Sequence, residues 1–202
     1  MPTGGAMKKV IALAILLSLI SQSQALPDGI GDRGDDGCLC HGGSDETTTV
    51  TMDGLPEVYN SSEEYNLTLT IQSPVEQNDV QGGFRVIISQ GQLIGEGWQL
   101  IDEGYTHSTE INDRRQWDVV WVAPVADDKL ATFVVHGNAV NGDGDVSGDE
   151  WNSLSIAIPG PNYTGEITTP ELSGKEVTGI QMAVGAIGII ALLSLAFFAI
   201  KD

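Results

Sequence analysis

Residues 65–72 read YNLTLTIQ, and this stretch decides the fold class. Its apolar side chains, Tyr65, Leu67, Leu69 and Ile71, alternate with polar ones. A period of two is that of a β-strand with one face toward a core and the other toward water. The stretch therefore predicts a half-buried strand, and it sets the pattern to look for in the rest of the chain.

The same alternation recurs on both sides of this strand. Residues 130–135 are apolar at every position except Thr132, which predicts a central strand packed on both faces. Residues 47–52, TTTVTM, predict an edge strand. With the turn signals between them, about seven strands indicate an all-β, immunoglobulin-like antiparallel sandwich over residues 47–158. The further alternating segments are 84–88, 117–121 and 154–158, and the four tryptophans predicted to pack in the core or at its rim are Trp98, Trp117, Trp121 and Trp151.

The N-terminal segment has the pattern of a secretory signal peptide. Lys8 and Lys9 precede a short apolar run, and small residues follow it near Ala25. The apolar run is too short to span a bilayer. Residues 1–25 are therefore predicted to be a signal peptide that sends the remaining chain outside.

The C-terminal segment has a different composition. Residues 180–200 carry no charge, which predicts a transmembrane helix over residues 179–200 and a cytoplasmic tail of residues 201–202. Residues 159–178, rich in Pro, Thr and Gly, predict an extended stalk. Together these segments predict a single-pass protein of the cell membrane, with its N-terminal domain extracellular and the membrane as its partner through the C-terminal helix.

The chain between the two targeting segments is strongly acidic. Residues 26–177 contain 27 acidic residues and six basic ones, a net charge of −21. Nucleic acid is excluded as a partner, because its binding requires a basic surface. The simplest interpretation of this charge is that it keeps the protein soluble.

The only two cysteines lie in an irregular segment, residues 26–46, within the sequence GCLCHGG. Cys38, Cys40 and His41 resemble the C-x-x-C-H haem attachment sequence with one residue fewer between the cysteines. The same groups suit zinc or copper, with His107 or His136 as a further ligand. A Cys38–Cys40 disulfide is the third alternative, because the exterior is oxidising.

A second polar segment, the acidic loop, covers residues 137–150 with the sequence GNAVNGDGDVSGDE. Against the EF-hand loop its first ligand position is Ala139, and no helices flank it, so it is not an EF-hand. It is either a cation site, with calcium as the natural ion, or a turn whose side chains bond their own backbone. The candidate ligands are Asn141, Asp143, Asp145, Asp149 and Glu150.

The remaining polar residues point to no catalytic machinery, so the sequence predicts a protein that is not an enzyme. His107 lies in a polar stretch and is predicted to be on the surface, whereas His136 is predicted to be a buried, hydrogen-bonded histidine. Three N-glycosylation sequons occur, at Asn60, Asn66 and Asn162.

Four motifs, in this order along the chain, resemble the choice-of-anchor V family, which is related to Reeler (reelin N-terminal) domains. They are GCLCHGG (37–43), GFRVIIS (83–89), WDVVWVAP (117–124) and HGNAVNGDGDVSGD (136–149). The resemblance implies a surface-exposed β-sandwich whose members differ in their anchors and commonly carry C-x-x-C-H. It implies no established reaction.

Two functions therefore remain open from the sequence. The first is a cell-surface module that binds a ligand, matrix or protein partner in an adhesion-like role. The second is an extracytoplasmic redox or metal protein that carries haem or a metal at Cys38, Cys40 and His41.

Overall fold

The structure is a computed structural model, and it describes residues 26–172 and 179–201. The predicted signal peptide lies outside the described residues. The described residues form two compact units, of which the larger contains residues 26–172 and the smaller contains the C-terminal helix. The strands of the larger unit are, in chain order, β1 (Thr49–Asp53), β2 (Glu64–Gln72), β3 (Gly82–Ile88), β4 (Gln92–Ile94), β5 (Trp98–Ile101), β6 (Gly104–His107), β7 (Gln116–Val122), β8 (Leu130–Ala139) and β9 (Glu150–Pro159).

These strands form two antiparallel sheets. The first sheet has the order β1-β2-β7-β4, and the second has the order β5-β6-β3-β8-β9. The all-β sandwich predicted from the alternating pattern is confirmed, and β1 lies at an edge as expected. The core between the sheets is rich in aromatic and branched side chains, including Leu67, Leu69, Phe84, Val86, Trp117, Trp121, Phe133 and Val135.

Three of the nine strands, β4 to β6, have no counterpart in the sequence prediction. β5 and β6 form a hairpin in which Ile101 pairs with Gly104. Its two connecting residues, Asp102 and Glu103, have φ values of 46° and 62°. Such turns usually carry Asn-Gly or Gly. An Asp-Glu pair therefore gives no turn signal in the sequence, and the hairpin is visible only in the structure.

The irregular segment of residues 26–46 is the N-terminal segment of the described chain, and contacts with the outer face of the second sheet order it. Arg85, fully buried on β3, donates from Nε to Asp35 Oδ1 at 2.8 Å and from Nη1 to the carbonyl of Ile30 at 3.2 Å. The same guanidinium bonds three carbonyls of the β5–β6 hairpin, those of Ile101, Asp102 and Gly104. One side chain thus joins the N-terminal segment, β3 and the hairpin.

Residues 170–172 also cover this outer face. Ser155 on β9 donates its hydroxyl to the carbonyl of Pro170 at 2.7 Å, and Leu172 lines a small cleft with Ile87 and Val134. Residues 170–172 of the predicted stalk therefore lie against the sandwich. This cover also explains why β8 is apolar on both faces: Phe133 points into the core, and Val134 lies in the cleft.

The second unit contributes one described element, α1 (Gly179–Lys201). The sequence predicts a membrane-spanning helix over residues 179–200. A search of the described part of the chain found no helix with the length and apolarity to cross a bilayer. The membrane-spanning assignment is therefore not supported.

Candidate functional site

A cavity of about 340 Å³ opens at the end of the sandwich where β3 begins and β6 and β8 end. This volume lies within the range of small-molecule sites. Its walls come from the N-terminal segment, the acidic loop and the ends of the three strands. Most of its lining is apolar, from residues that include Leu26, Pro27, Ile30, Val80, Phe84 and Val140.

The Cys/His sequence forms one wall of this cavity. Residues Leu39–His41 form a 3₁₀ turn, and Cys38, Cys40 and His41 all line the cavity. Both cysteines are free thiols, so the disulfide considered from the sequence is not formed in this structure. Burial raises the pKa of the Cys38 thiol to about 12, with a smaller contribution from Cys40. Cys38 is thus a neutral thiol at neutral pH.

The two polar features of the sequence meet at this cavity. His41 Nδ1 lies 2.8 Å from Asp149 Oδ2, although the two residues are 108 positions apart. The Asp149 side chain is 3% exposed, and its other oxygen accepts a hydrogen bond from the Asn141 backbone at 2.9 Å. One buried carboxylate therefore holds the Cys/His turn and the acidic loop together.

The side chains of the acidic loop mostly bond their own backbone. Asn141 Oδ1 accepts from the Asp143 amide, Asp143 Oδ1 from the Asp145 amide, and Asp145 Oδ1 from the Ser147 amide, at 3.0, 2.8 and 2.8 Å. These are successive Asx turns. The arrangement matches the turn alternative. The calcium-binding alternative stays a prediction.

Glu150, the last candidate ligand of the loop, has other partners. Its Oε2 accepts hydrogen bonds from the hydroxyls of Thr47, Thr48 and Ser73, at 3.0, 2.7 and 3.0 Å. Thr47 and Thr48 directly precede β1 and Ser73 directly follows β2, so Glu150 joins the two sheets at their edge. The three Asx turns therefore involve Asn141, Asp143 and Asp145, whereas the Glu150 carboxylate bonds residues outside the loop.

His107 is buried, and its prediction as a surface residue is wrong. His107 is the last residue of β6, and the sequence pattern did not predict this strand. The Phe84 amide donates to His107 Nδ1 at 3.1 Å, and burial, partly offset by the Phe84 carbonyl, lowers the pKa of the ring. Nδ1 also lies 3.4 Å from the Phe84 carbonyl. The shorter contact with the Phe84 amide favours the neutral tautomer with its proton on Nε2.

His136 is buried and fully hydrogen-bonded, as predicted. Its Nε2 donates to the Asp35 carbonyl at 3.0 Å, and its Nδ1 lies 2.6 Å from the Ser153 hydroxyl. Both ring nitrogens are thereby occupied. Neither His136 nor Nε2-protonated His107 offers a free lone pair, so neither supplies the further ligand that zinc or copper would need.

The metal alternative has no converged ligand set in the structure. Within residues 26–172 and 179–201, no three side chains of His, Cys, Asp or Glu lie close enough together to hold an ion. His41 does share one contact with metal-ligating histidines, because its Nδ1 faces the Asp149 carboxylate and Nε2 is left free. The donors are present, but they do not form a metal centre.

The wall of the cavity also contains Asn138, which the sequence analysis did not single out. This residue is 8% exposed, and in the part of the chain that the structure describes its Oδ1 has no hydrogen-bond partner. On β8 it stands directly opposite Gly83 of β3. The double glycine Gly82-Gly83 is the signal that could have indicated this site, because adjacent glycines in a strand mark a close approach.

The three predicted glycosylation sites all lie on the surface. Asn60, Asn66 and Asn162 are exposed. Asn60 Nδ2 bonds Glu63 at 2.5 Å, and Asn162 Nδ2 bonds Asp127 at 2.9 Å. Their modification stays a prediction.

Comparison with solved structures finds sandwiches of limited similarity. The Reeler domain of human F-spondin (fragment 2) shares 19% identity over 56% of this chain and 92% of its own, with a TM-score of 0.39. The Reelin-N domain of F-spondin shares 20% identity over 58% of this chain and 88% of its own, with a TM-score of 0.40. A conjugate transposon protein from Bacteroides vulgatus shares 12% identity over 61% and 93%, also with a TM-score of 0.40.

No family model and no curated protein matches the chain. Reeler domains are thus among the structures that the sandwich is similar to, and the resemblance to the choice-of-anchor V family stays a prediction. At these identities and TM-scores no function of those proteins is transferred to this chain.

Proposed function

We propose that this chain is a non-catalytic β-sandwich module of the cell exterior that binds a small ligand in the 340 Å³ cavity. The observation that carries the proposal is the convergence of the Cys/His turn, the acidic loop and the strand ends on one mostly apolar cavity. Concave, apolar sites with a few polar groups are typical of ligand binding. The predicted export signal supports the exterior location.

The proposal is tested with prodan, a neutral naphthalene dye whose emission depends on its surroundings. The full chain is expected to bind prodan with a blue-shifted emission. In Val140→Trp an indole fills part of the cavity, so the affinity is expected to fall at least tenfold, which corresponds to about 1.4 kcal/mol.

The matched control is Val125→Trp, which adds the same side chain at a position that is 82% exposed and not part of the cavity wall. This variant is expected to bind prodan like the wild type. A wild-type chain that leaves the dye emission unchanged, or a Val140→Trp protein with wild-type affinity, would contradict the proposed function.

The second candidate is a haem-bearing or metal-bearing redox protein. The observation that favours it is that Cys38, Cys40 and His41 lie on the same cavity wall, with His41 Nε2 left free by the contact with Asp149. Covalently attached haem would give the purified protein a Soret band that survives denaturation. An intact mass equal to that of the polypeptide, with no such band, would exclude covalently attached haem, and the absence of zinc and copper in elemental analysis of the purified protein would exclude the metal.

A further inference from the structure

Two of the polar side chains that line the cavity, those of His107 and Asn138, lie on either side of Gly83. The edge of the His107 ring that carries Nδ1, Cε1 and Nε2 lies over this glycine, because a Cβ added there would meet these three atoms at 2.8, 2.2 and 2.6 Å. Asn138 stands opposite Gly83 on the neighbouring strand. His107, Gly83 and Asn138 all line the cavity, so the two side chains form one polar patch in an apolar surface.

The His107 side of this patch is a hydrogen-bond donor. Its Nδ1 is taken by the Phe84 amide, which leaves the proton on Nε2. Within the described residues Nε2 has no hydrogen-bond partner. A neutral N–H at the wall of an apolar cavity recognises an acceptor such as a carbonyl oxygen.

The Asn138 side is a carboxamide whose Oδ1 has no hydrogen-bond partner among residues 26–172 and 179–201. Leaving a buried polar group unpaired is destabilising, so such groups are normally satisfied. Asn138 Oδ1 has no partner, and the residue is more than nine-tenths buried. A carboxamide both donates and accepts, so rotation of this group by half a turn presents either function to a ligand.

The charged side chains of the cavity wall, Arg33, Asp145 and Asp149, are of both signs, so the wall does not favour ligands of one charge. Asp149, at the cavity wall, already bonds His41 and Asn141. The net charge of −19 repels anions from the whole molecule. A cation would meet the His107 N–H, which is a donor and repels it. The patch is therefore suited to a neutral group.

We propose that the cavity binds a neutral, largely apolar small molecule through a carbonyl group, which accepts from His107 Nε2 and, after the half-turn rotation of the Asn138 amide, from Asn138 Nδ2. This inference rests on the proposed function, since it requires the cavity to be a ligand site. It adds the chemical class of the ligand and the two residues that recognise it.

The experiment compares two dyes on the full chain: prodan, which has a ketone, and 2-dimethylaminonaphthalene, which lacks it. The wild type is expected to prefer prodan by about fivefold to tenfold, the ratio that one net hydrogen bond of about 1–1.4 kcal/mol provides. Asn138→Leu and His107→Asn are each expected to reduce this preference toward one. His107→Asn retains an acceptor for the Phe84 amide and removes the Nε2 donor, so it keeps the test decisive if the other variant does not fold.

Asn66→Leu is the matched control, because it makes the same substitution on an exposed face of β2 away from the cavity. It is expected to keep the wild-type preference. Equal binding of the two dyes by the wild type, or an unchanged preference in both cavity variants, would overturn the carbonyl assignment and leave the cavity as a binding site. If neither dye binds the wild type, both the proposed function and this inference fail.

Discussion

His107 and His136 are both buried at the second sheet, and their neighbours determine which nitrogen of each ring carries the proton. For His107 the Phe84 amide requires an acceptor at Nδ1. For His136 the Asp35 carbonyl requires a donor at Nε2. These contacts favour the tautomer with the proton on Nε2 in both rings. Burial is the largest cause of the lowered pKa of each ring.

We expect both rings to titrate below the ordinary histidine pKa of about 6.5. As pH falls through that value the unfolded chain takes up protons first, so these two residues make the protein less stable in acid. The stability that they contribute is retained above about pH 6.5. Imidazole Cε1–H shifts followed by NMR from pH 8 to 4.5 measure this directly, and a midpoint at or above 6.5 for either ring would contradict it.

The two thiols are expected to differ in reactivity. Cys40 is exposed, whereas burial raises the pKa of the Cys38 thiol to about 12. Alkylation requires the thiolate. Iodoacetamide at pH 8 should therefore modify Cys40 well before Cys38 in the folded protein, as followed by peptide mass spectrometry.

The control for this experiment is the same reaction in 6 M guanidinium chloride, where the two rates should become similar. Equal rates in the native protein would show that Cys38 is not protected. A protein that resists alkylation at both positions until a reductant is added would instead show the disulfide.

At the scale of elements, Arg85 links the N-terminal segment to the second sheet. Its fully buried guanidinium faces one carboxylate and four carbonyls. Arg85→Met would leave those carbonyls without a donor, whereas Asp35, which is 41% exposed, would be rehydrated. We expect a loss of about 2–4 kcal/mol in the free energy of unfolding, measured in urea.

Arg114→Met provides the comparison. Arg114 is 50% exposed and pairs with Asp113 on the surface, so its loss should cost less than about 1 kcal/mol. Hydrogen exchange of the amides of residues 30–37 should rise in the Arg85 variant alone. An Arg85→Met protein as stable as Arg114→Met would show that the segment is held by other contacts.

At the scale of the whole molecule, excess negative charge is the dominant electrostatic feature. The chain carries 28 acidic residues and nine basic ones. In the described residues the Lys and Arg pairs with carboxylates are Arg85–Asp35, Arg114–Asp113 and Lys129–Asp128, and the last two are exposed. Exposed pairs contribute little, so repulsion among unpaired carboxylates should dominate the response to salt.

We therefore expect the Tm to rise by a few degrees between 50 and 500 mM NaCl, because salt screens this repulsion. The measurement is thermal unfolding followed by circular dichroism, with EDTA present so that a cation bound to the acidic loop does not contribute. KCl at equal ionic strength should have the same effect. A Tm that falls with salt would mean that attractive pairs outweigh the repulsion.

Local patterns in the sequence determined most of the sandwich. The alternation around Leu67 and Leu69, the apolar run of β8 and the Gly/Asp-rich loop are properties of neighbouring residues, and the structure has strands and Asx turns there. Burial of His136 also followed from its place in an apolar strand. Such features can be predicted from the sequence because strand alternation and turn formation depend on only a few neighbouring residues.

Only the tertiary structure decided where the cavity lies and what faces it. The contact of His41 with Asp149 joins residues 108 positions apart, and the place of His107 over Gly83 depends on a hairpin whose Asp-Glu turn carries no sequence signal. The partnerless amide of Asn138 depends on strand register. These features depend on how the sheets and the N-terminal segment pack. Patterns among neighbouring residues cannot predict them, because the contacts join segments that are far apart in the sequence.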